Sequence, residues 1–193
     1  ILLTGANGYI GQRLIPVLLE QGHHLYCCVR NNIRFEALYM HERVTLVEVD
    51  FLQPLPTAQL PVEIDAAYYL IHSMSGNNKK KKKSEADCAE NFIRLLVPTK
   101  AKQIIYLSGI SNASRLSKHL RSRLQVETIL QKSKSAVTIL RAGIIVGSGS
   151  ASFEIIRDLV EKLPVMITPK WLYTKCQPIS VRNIVEFLTG VLL

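Results

Sequence analysis

The sequence predicts an α/β fold in which helices cover both faces of a doubly wound parallel sheet, giving three α/β/α layers. Six short segments are apolar along their whole length, which is typical of strands buried on both faces of a parallel sheet. Amphipathic segments with helical periodicity separate these strands, and right-handed crossovers then produce a doubly wound sheet. A chain of 193 residues is long enough for one domain with a hydrophobic core.

Each strand is predicted from one apolar run: ILLT (1–4), HLYCCVR (24–30), VTLVEVD (44–50), IDAAYYLI (64–71), QIIYLS (103–108) and AVTILRAG (136–143). The first helix is predicted over 9–21, because its apolar residues repeat with helical spacing and Gly22 is a typical stop. Clear helical patterns follow at 85–97 and 115–132, and weaker ones at 31–43 and 52–63. The tyrosines within the predicted strands are expected in the core: Tyr68, Tyr69 and Tyr106.

The pattern changes after the sixth strand. Residues 150–164 predict a helix, 164–171 an extended segment and 181–193 a closing helix. We expect 144–180 to form a small C-terminal extension over the carboxyl ends of the strands, where ligands bind in open α/β sheets. The whole chain, 1–193, is then a single domain with this extension on its substrate side.

The formal net charge of +9 is concentrated in one tract, because Lys79–Lys83 supply five of the positive charges. Such a run is most often a solvated, mobile loop, although it could attract nucleic acid or an anionic membrane. No aromatic residue is interleaved with the lysines for base stacking, so we predict no nucleic-acid partner. No apolar stretch approaches the roughly 20 residues of a membrane span.

Cysteine spacing gives no sign of a metal site. The four cysteines are Cys27, Cys28, Cys88 and Cys176, without a C-x-x-C or Cys/His pattern. We expect all four to be reduced and buried. Because the chain also starts without a signal-peptide pattern, we predict a cytoplasmic protein.

The stretch TGANGYIG spaces Gly5, Gly8 and Gly11 as G-x-x-G-x-x-G, between the first strand and the first helix. Glycines there permit a tight turn and a close approach of the backbone to a pyrophosphate, and the helix N-terminus offers free N–H groups to it. Gly11 would allow the helix to pack closely on the strand. The context favours a dinucleotide site over a purely structural glycine turn.

The end of the second strand favours NADP(H) over NAD(H). NAD sites usually carry Asp or Glu there to bind the ribose 2′-hydroxyl, whereas this chain has CVRNN and offers Arg30. An arginine can pair with a 2′-phosphate, although Arg30 could also be an ordinary surface residue. At the end of the third strand, Asp50 and Phe51 either flank the adenine or only form a turn.

Taken together, TGANGYIG, VDFLQP, AYYLIHSMS, YLSGIS and LRAGIIVGSGSASFEIIRDLVEKLPVMITPKW resemble the extended and atypical short-chain dehydrogenase/reductase superfamily. The resemblance covers nearly the whole chain and is closest to an NAD(P)-binding Rossmann branch near the complex I accessory-subunit-like and nitrogen-metabolite-repression-type proteins. Members of this kind are often longer, so a further C-terminal domain is expected outside this chain.

The resemblance implies a cofactor lying across the strand ends. It places the pyrophosphate at Thr4–Gly11, a range that includes Asn7, Tyr9 and Ile10. It places the adenosine ribose phosphate at Arg30, the adenine at Asp50 and Phe51, and the nicotinamide side at Leu70, Ile71, His72, Ser73 and Gly143–Val146. It also implies that Ser108 occupies the place of the catalytic serine or threonine.

The superfamily pattern Tyr-x-x-Ser-Lys-x-x-x-Glu aligns with His119-x-x-Ser122-Arg123-x-x-x-Glu127. Arg123 could grip the ribose but cannot shuttle protons. His119 could act as a general acid, although a neighbouring arginine would lower its pKa. Alternatively, 115–132 is an amphipathic helix without a catalytic role. His72, after the fourth strand, is interpreted equally well as a substrate contact or as a loop histidine bonded to the backbone.

Two functions follow from these residues. The first is an NADP(H)-dependent oxidoreductase, or an epimerase-like enzyme, that acts on an unidentified small molecule through Ser108, His119 and Arg123. The second is a non-catalytic NADP(H)-binding sensor or assembly factor that signals cofactor occupancy to a protein partner. The missing Tyr and Lys motivate the second reading.

Overall fold

A computed structural model of the chain describes residues 1–30, 41–53, 60–71, 79–111, 117–162 and 175–193. The described strands are β1 Leu2–Thr4, β2 Leu25–Val29, β3 Val44–Glu48, β4 Ala66–Tyr69, β5 Gln103–Gly109, β6 Ala136–Ala142, β7 Ile144–Val146 and β8 Pro178–Ser180. The described helices are α1 Gly11–Glu20, α2 Lys79–Leu96, α3 Lys118–Leu130, α4 Ala151–Lys162 and α5 Val181–Gly190.

The six predicted strands form one parallel sheet in the order β3-β2-β1-β4-β5-β6. The chain moves outward from β1 to β3 and then crosses back to β4 on the other side of β1. A crevice opens at the carboxyl ends of the strands where this reversal occurs. The predicted doubly wound sheet is therefore confirmed, and β7 pairs with β8 in a separate two-stranded parallel sheet.

Two apolar clusters, one on each face of the sheet, make up the core. On one face, Leu14 and Leu18 of α1 pack with Leu188 of α5. On the other face, Phe92 of α2 packs with Leu130 of α3. All three strand tyrosines are at most 2% exposed, which confirms their prediction as core residues: Tyr68, Tyr69 and Tyr106.

The structure departs from the sequence predictions in two places. Helix α2 begins at Lys79 rather than at residue 85, so the lysine tract forms helical turns and not the expected loop. Lysine is a good helix former, and α2 continues directly into the amphipathic part. The prediction that every cysteine is buried is wrong for Cys176, which is exposed, whereas the other three are buried.

Several predicted segments fall outside the described residues. They include most of the weak helical patterns at 31–43 and 52–63 and the extended segment at 164–171. In the part of the chain that is described, no helix is both long and apolar enough to cross a membrane.

Candidate functional site

A cavity of about 880 Å³ lies at the carboxyl ends of the strands and is lined by residues in or just after β1 to β6. Cavities of this size suit cofactors and other drug-sized ligands. The lining includes most of the predicted cofactor residues: Gly5, Asn7, Gly8, Tyr9, Ile10, Gly11, Arg30, Asp50, Phe51, Leu70 and Ile71. It also includes two of the predicted catalytic residues, Ser108 and Arg123.

The glycine turn is closely packed against its own backbone. Gly5 has a left-handed φ of 67°, and a Cβ there would lie 2.7 Å from the Leu70 carbonyl oxygen. A Cβ on Gly11 would lie 2.3 Å from the Gly5 carbonyl oxygen. At Gly8, the one described atom that a Cβ would meet is the Gly5 carbonyl oxygen, at 3.1 Å. Gly5 and Gly11 are thus required by the fold, whereas Gly8 leaves open space beside the cavity.

The N-terminus of α1 has no side-chain cap. Its N-cap residue is Ile10, and no acidic residue stands in the first turn. By contrast, Ser117 caps α3 and Ser180 caps α5 through their hydroxyl groups. Among the described residues, no backbone acceptor pairs with the N–H groups of Tyr9 and Ile10. The turn therefore presents donors and a partial positive charge that fit a diphosphate.

The β2 and β3 ends form one side of the cavity. Arg30 is exposed there and belongs to the lining. Asp50 accepts a hydrogen bond from the backbone N–H of Leu52 at 3.1 Å, so it shapes a turn as well as facing the cavity. Asn91 holds this turn against α2 by donating to the carbonyl oxygens of Phe51 at 2.9 Å and Gln53 at 3.0 Å.

Thr4 does not belong to the cavity lining. Its side chain is fully buried and its hydroxyl joins two strands by donating to the Tyr68 carbonyl at 3.0 Å and accepting from the Leu70 N–H at 3.1 Å. Thr4 therefore supports the turn and does not face a ligand. The other two predicted residues near β4, His72 and Ser73, lie outside the described part of the chain.

The two candidate residues of the HLRSR stretch, His119 and Arg123, take different positions on α3. Arg123 faces the cavity, and its guanidinium lies 3.4 Å from the Leu107 carbonyl oxygen. His119 is exposed in the first turn of the helix and is not part of the lining. The i, i+4 spacing therefore does not bring both side chains to the cavity. A catalytic role for His119 stays a prediction.

The Ser108 hydroxyl is buried and makes no hydrogen bond of normal geometry with any of the described residues. Its oxygen is nonetheless close enough to Tyr106 and Glu127 to lower the pKa of both side chains. Burial is the larger effect on Tyr106 and raises the pKa of its phenol to about 12. A buried hydroxyl without a regular partner in a cavity wall is suited to binding a polar group of a ligand.

A bidentate ion pair joins Arg141 and Glu127 close to Ser108. The Arg141 guanidinium donates to both carboxylate oxygens of Glu127, at 3.1 and 2.5 Å. Burial alone would raise the pKa of Glu127, but the hydrogen bonds and the charge of Arg141, together with the nearby Ser108 hydroxyl, hold that pKa below its usual value. Glu127 is 4% exposed, so the pair ties α3 to β6 and does not face the cavity.

The loop that follows β7 closes over the glycine turn. Gly149, Ser150 and Ala151 belong to the cavity lining. Arg13 joins this loop to α1, because its guanidinium lies 3.8 Å from the centre of the Tyr9 ring and donates to the Ser148 carbonyl at 2.7 Å. Gly143–Ile145 also belong to the lining. Part of the predicted substrate-side extension, 144–180, thus borders the cavity.

Sequence reasoning missed several lining residues, of which Glu85 is the most polar. It lies on α2, outside every motif, and its carboxylate accepts a hydrogen bond from Ser122. The sequence signal that could have identified Glu85 is its helical spacing. Glu85, Cys88 and Phe92 share one face of the helix, and the last two are buried. Among the described residues, no group of three His, Cys, Asp or Glu side chains could hold a metal ion.

The site fits a pyridine dinucleotide in chemical terms. The uncapped α1 N-terminus suits the pyrophosphate, Arg30 can pair with a ribose phosphate, and Arg123 and Ser108 supply polar groups at the other end. The cofactor would supply a hydride donor or acceptor, and these residues would bind and orient it.

A family model described as NAD(P)H-binding matches residues 5–162. The structure is also similar to solved structures of sequence identity too low to show more than the fold. WbmG from Bordetella bronchiseptica, in complex with NAD, is 13% identical with a TM-score of 0.76, and the match covers 100% of this chain and 68% of WbmG.

UDP-glucuronic acid 4-epimerase from Bacillus cereus, also in complex with NAD, is 17% identical with a TM-score of 0.70, covering 95% of this chain and 69% of the epimerase. TunA, an NAD-dependent NDP-hexosamine 5,6-dehydratase, is 16% identical with a TM-score of 0.68, covering 98% of this chain and 70% of TunA. A search of curated proteins found no match. The family match and the structural similarities together confirm the predicted NAD(P)-binding Rossmann fold.

Proposed function

Since the chain belongs to the NAD(P)H-binding family, we propose that its cavity binds NADP(H) in preference to NAD(H). We further propose that the bound cofactor exchanges a hydride with a small-molecule substrate. The observation that carries the cofactor preference is Arg30, a cation in the lining at the end of β2. No acidic residue stands beside it in the sequence to bind a free ribose 2′-hydroxyl.

The cofactor lies along the strand ends in this proposal. The adenosine half meets Arg30, Asp50 and Phe51 on the β2–β3 side, and the pyrophosphate meets the turn at Gly8. The nicotinamide half then lies on the β4–β6 side, near Ser108 and Arg123. Arg123 orients the cofactor and Ser108 binds the substrate oxygen. The free, mostly buried thiols support a cytoplasmic location.

Calorimetry with NADPH and NADH tests the cofactor preference. We expect NADPH to bind at least about tenfold more tightly, and Arg30→Ala to weaken NADPH binding by about 10- to 100-fold, the worth of a charge-assisted hydrogen bond. NADH affinity should stay unchanged. Arg121→Ala is the matched control, because Arg121 is exposed and lies outside the lining. Equal affinities of the wild type for both cofactors would refute the preference.

A second function, a non-catalytic NADP(H) sensor or assembly factor, is favoured by the exposed position of His119. The two functions differ in turnover. NADPH oxidation with a panel of aldehydes and ketones, lost in Ser108→Ala, supports the enzyme. Tight NADPH binding without turnover of any compound in the panel supports the sensor, which would then be tested by its cofactor-dependent capture of a protein partner.

A further inference from the structure

Glu85 of α2 contributes a carboxylate to the cavity. It belongs to neither the glycine turn nor the HLRSR stretch, and the proposed function gives it no role. Its side chain belongs to the lining and accepts a hydrogen bond from the Ser122 hydroxyl. Ser122 is only 6% exposed, so the donor is fixed between two packed helices. The bond therefore orients the carboxylate at a defined point of the cavity wall.

The neighbours of Glu85 place it on the nicotinamide side of the proposed cofactor. Along α2, Cys88 is affected by the charges of Asp50 and Arg30, at the adenosine end, and also by that of Glu85. Glu85 stands one turn earlier and accepts a hydrogen bond from α3, the helix that carries Arg123. Its charge also raises the pKa values of Tyr69 and Tyr106, after the larger effect of burial. These tyrosines belong to β4 and β5, on the far side of the glycine turn from β2 and β3.

We propose that Glu85 binds the vicinal hydroxyls of the ribose in the nicotinamide half of the cofactor, with Ser122 as its positioning residue. The inference rests on the proposed function, because it assumes a dinucleotide in this cavity. An ionised carboxylate is an acceptor at about four lone-pair sites, so it can receive ribose hydroxyls in addition to donors from the protein. Acidic side chains bind ribose hydroxyls in the same way at the adenosine end of other dinucleotide folds.

Arg123 complements this arrangement from α3. Its guanidinium lies near the Leu107 carbonyl at the end of β5, and its position in the lining places a positive charge on the nicotinamide side together with the Glu85 carboxylate. An arginine that cannot exchange protons holds the ribose by charge and hydrogen bonding alone. Glu85 then supplies the acceptors that the arginine lacks.

The test compares two ligands within each variant. NADPH contains the nicotinamide ribose, whereas adenosine 2′,5′-bisphosphate contains only the adenosine half. We expect Glu85→Gln to weaken NADPH binding about tenfold and Ser122→Ala about threefold, which are typical losses for a charged and a supporting hydrogen bond. Affinity for the bisphosphate should stay within about twofold of the wild type. Glu90→Gln, an exposed position on the same helix, should change neither affinity.

The readout is the ratio of the affinity for NADPH to the affinity for the bisphosphate, because partial unfolding weakens the binding of both ligands alike. If Glu85→Gln does not yield folded protein, the ratio in Ser122→Ala gives the answer. An unchanged ratio, with wild-type protein that binds NADPH, overturns the inference and leaves the proposed function standing. That result would exclude the cofactor ribose as the diol that Glu85 binds. Wild-type protein that binds neither ligand would overturn the proposed function itself.

Discussion

The Gly8→Ala substitution should abolish tight dinucleotide binding while leaving the fold nearly as stable as before. Within the described part of the chain, a Cβ at residue 8 meets a single atom, the Gly5 carbonyl oxygen at 3.1 Å. Relieving that contact requires a shift of a few tenths of an ångström, and alanine also reduces the entropy of the unfolded chain by about 0.4–1 kcal/mol. We therefore expect the free energy of unfolding to change by less than about 1 kcal/mol.

The effect on binding should be much larger, because the new methyl group would stand where the pyrophosphate approaches the backbone. Losing one or two charge-assisted hydrogen bonds costs about 3 kcal/mol, which is roughly a hundredfold in affinity. Calorimetry with NADPH measures this loss, and urea denaturation measures the stability. Gly190→Ala is the control, because no atom lies within 4 Å of a Cβ at that position.

Gly5→Ala should behave in the opposite way. Its left-handed φ costs a residue with a side chain about 1–2 kcal/mol, and its Cβ would also press on the Leu70 carbonyl. We expect a loss of stability of about 3 kcal/mol or more. A Gly8→Ala protein that binds NADPH as tightly as the wild type would refute the reasoning, because the turn would then not be the pyrophosphate site.

Three further substitutions test the supports of the site. Thr4→Val should destabilise the fold by about 2 kcal/mol in urea denaturation, because it keeps the shape but leaves the Leu70 N–H without its acceptor; an unchanged midpoint would contradict this. Asn91→Ala should cost about 1–2 kcal/mol by releasing the turn at Phe51, and differential scanning calorimetry should show a lower Tm than for Glu90→Gln. Glu127→Gln should cost about 2 kcal/mol at neutral pH, less than a fully buried pair because Arg141 is half exposed. Because the pKa of Glu127 is lowered in the folded protein, the wild type should be more stable than Glu127→Gln at neutral pH. This difference in the free energy of unfolding should decline as the pH falls through that pKa. A difference that persists in acid would count against the ion pair.

The fold could be predicted because its signals are local. Six apolar runs gave the strands of the main sheet, and their central segments agree with β1 to β6. The glycine turn was recognisable because its backbone conformation and close contacts exclude side chains at Gly5 and Gly11, which leaves a direct mark on the sequence. The lysine tract was placed wrongly because its charge pattern is the same for a solvated loop and for a solvated helix.

Prediction of the site was less complete, because a cavity is formed by residues that are distant along the chain. The superfamily pattern paired His119 with Arg123, but the structure brings only Arg123 to the cavity wall. Thr4 belongs to the glycine motif, yet its hydroxyl is used within the sheet. Glu85 has no motif of its own, and its position depends on how α2 packs against α3.

The sheet class, the glycine turn and the cation at the end of β2 could be predicted from the sequence, since each depends on residues that are close together in the chain. The way in which helix faces meet above the strand ends came only from the folded structure, and with it the Glu85–Ser122 contact and the exposure of His119. The physical reason is that side-chain spacing fixes the direction of a residue around its own helix, whereas the rotation and offset of that helix on the sheet follow from packing against the whole core.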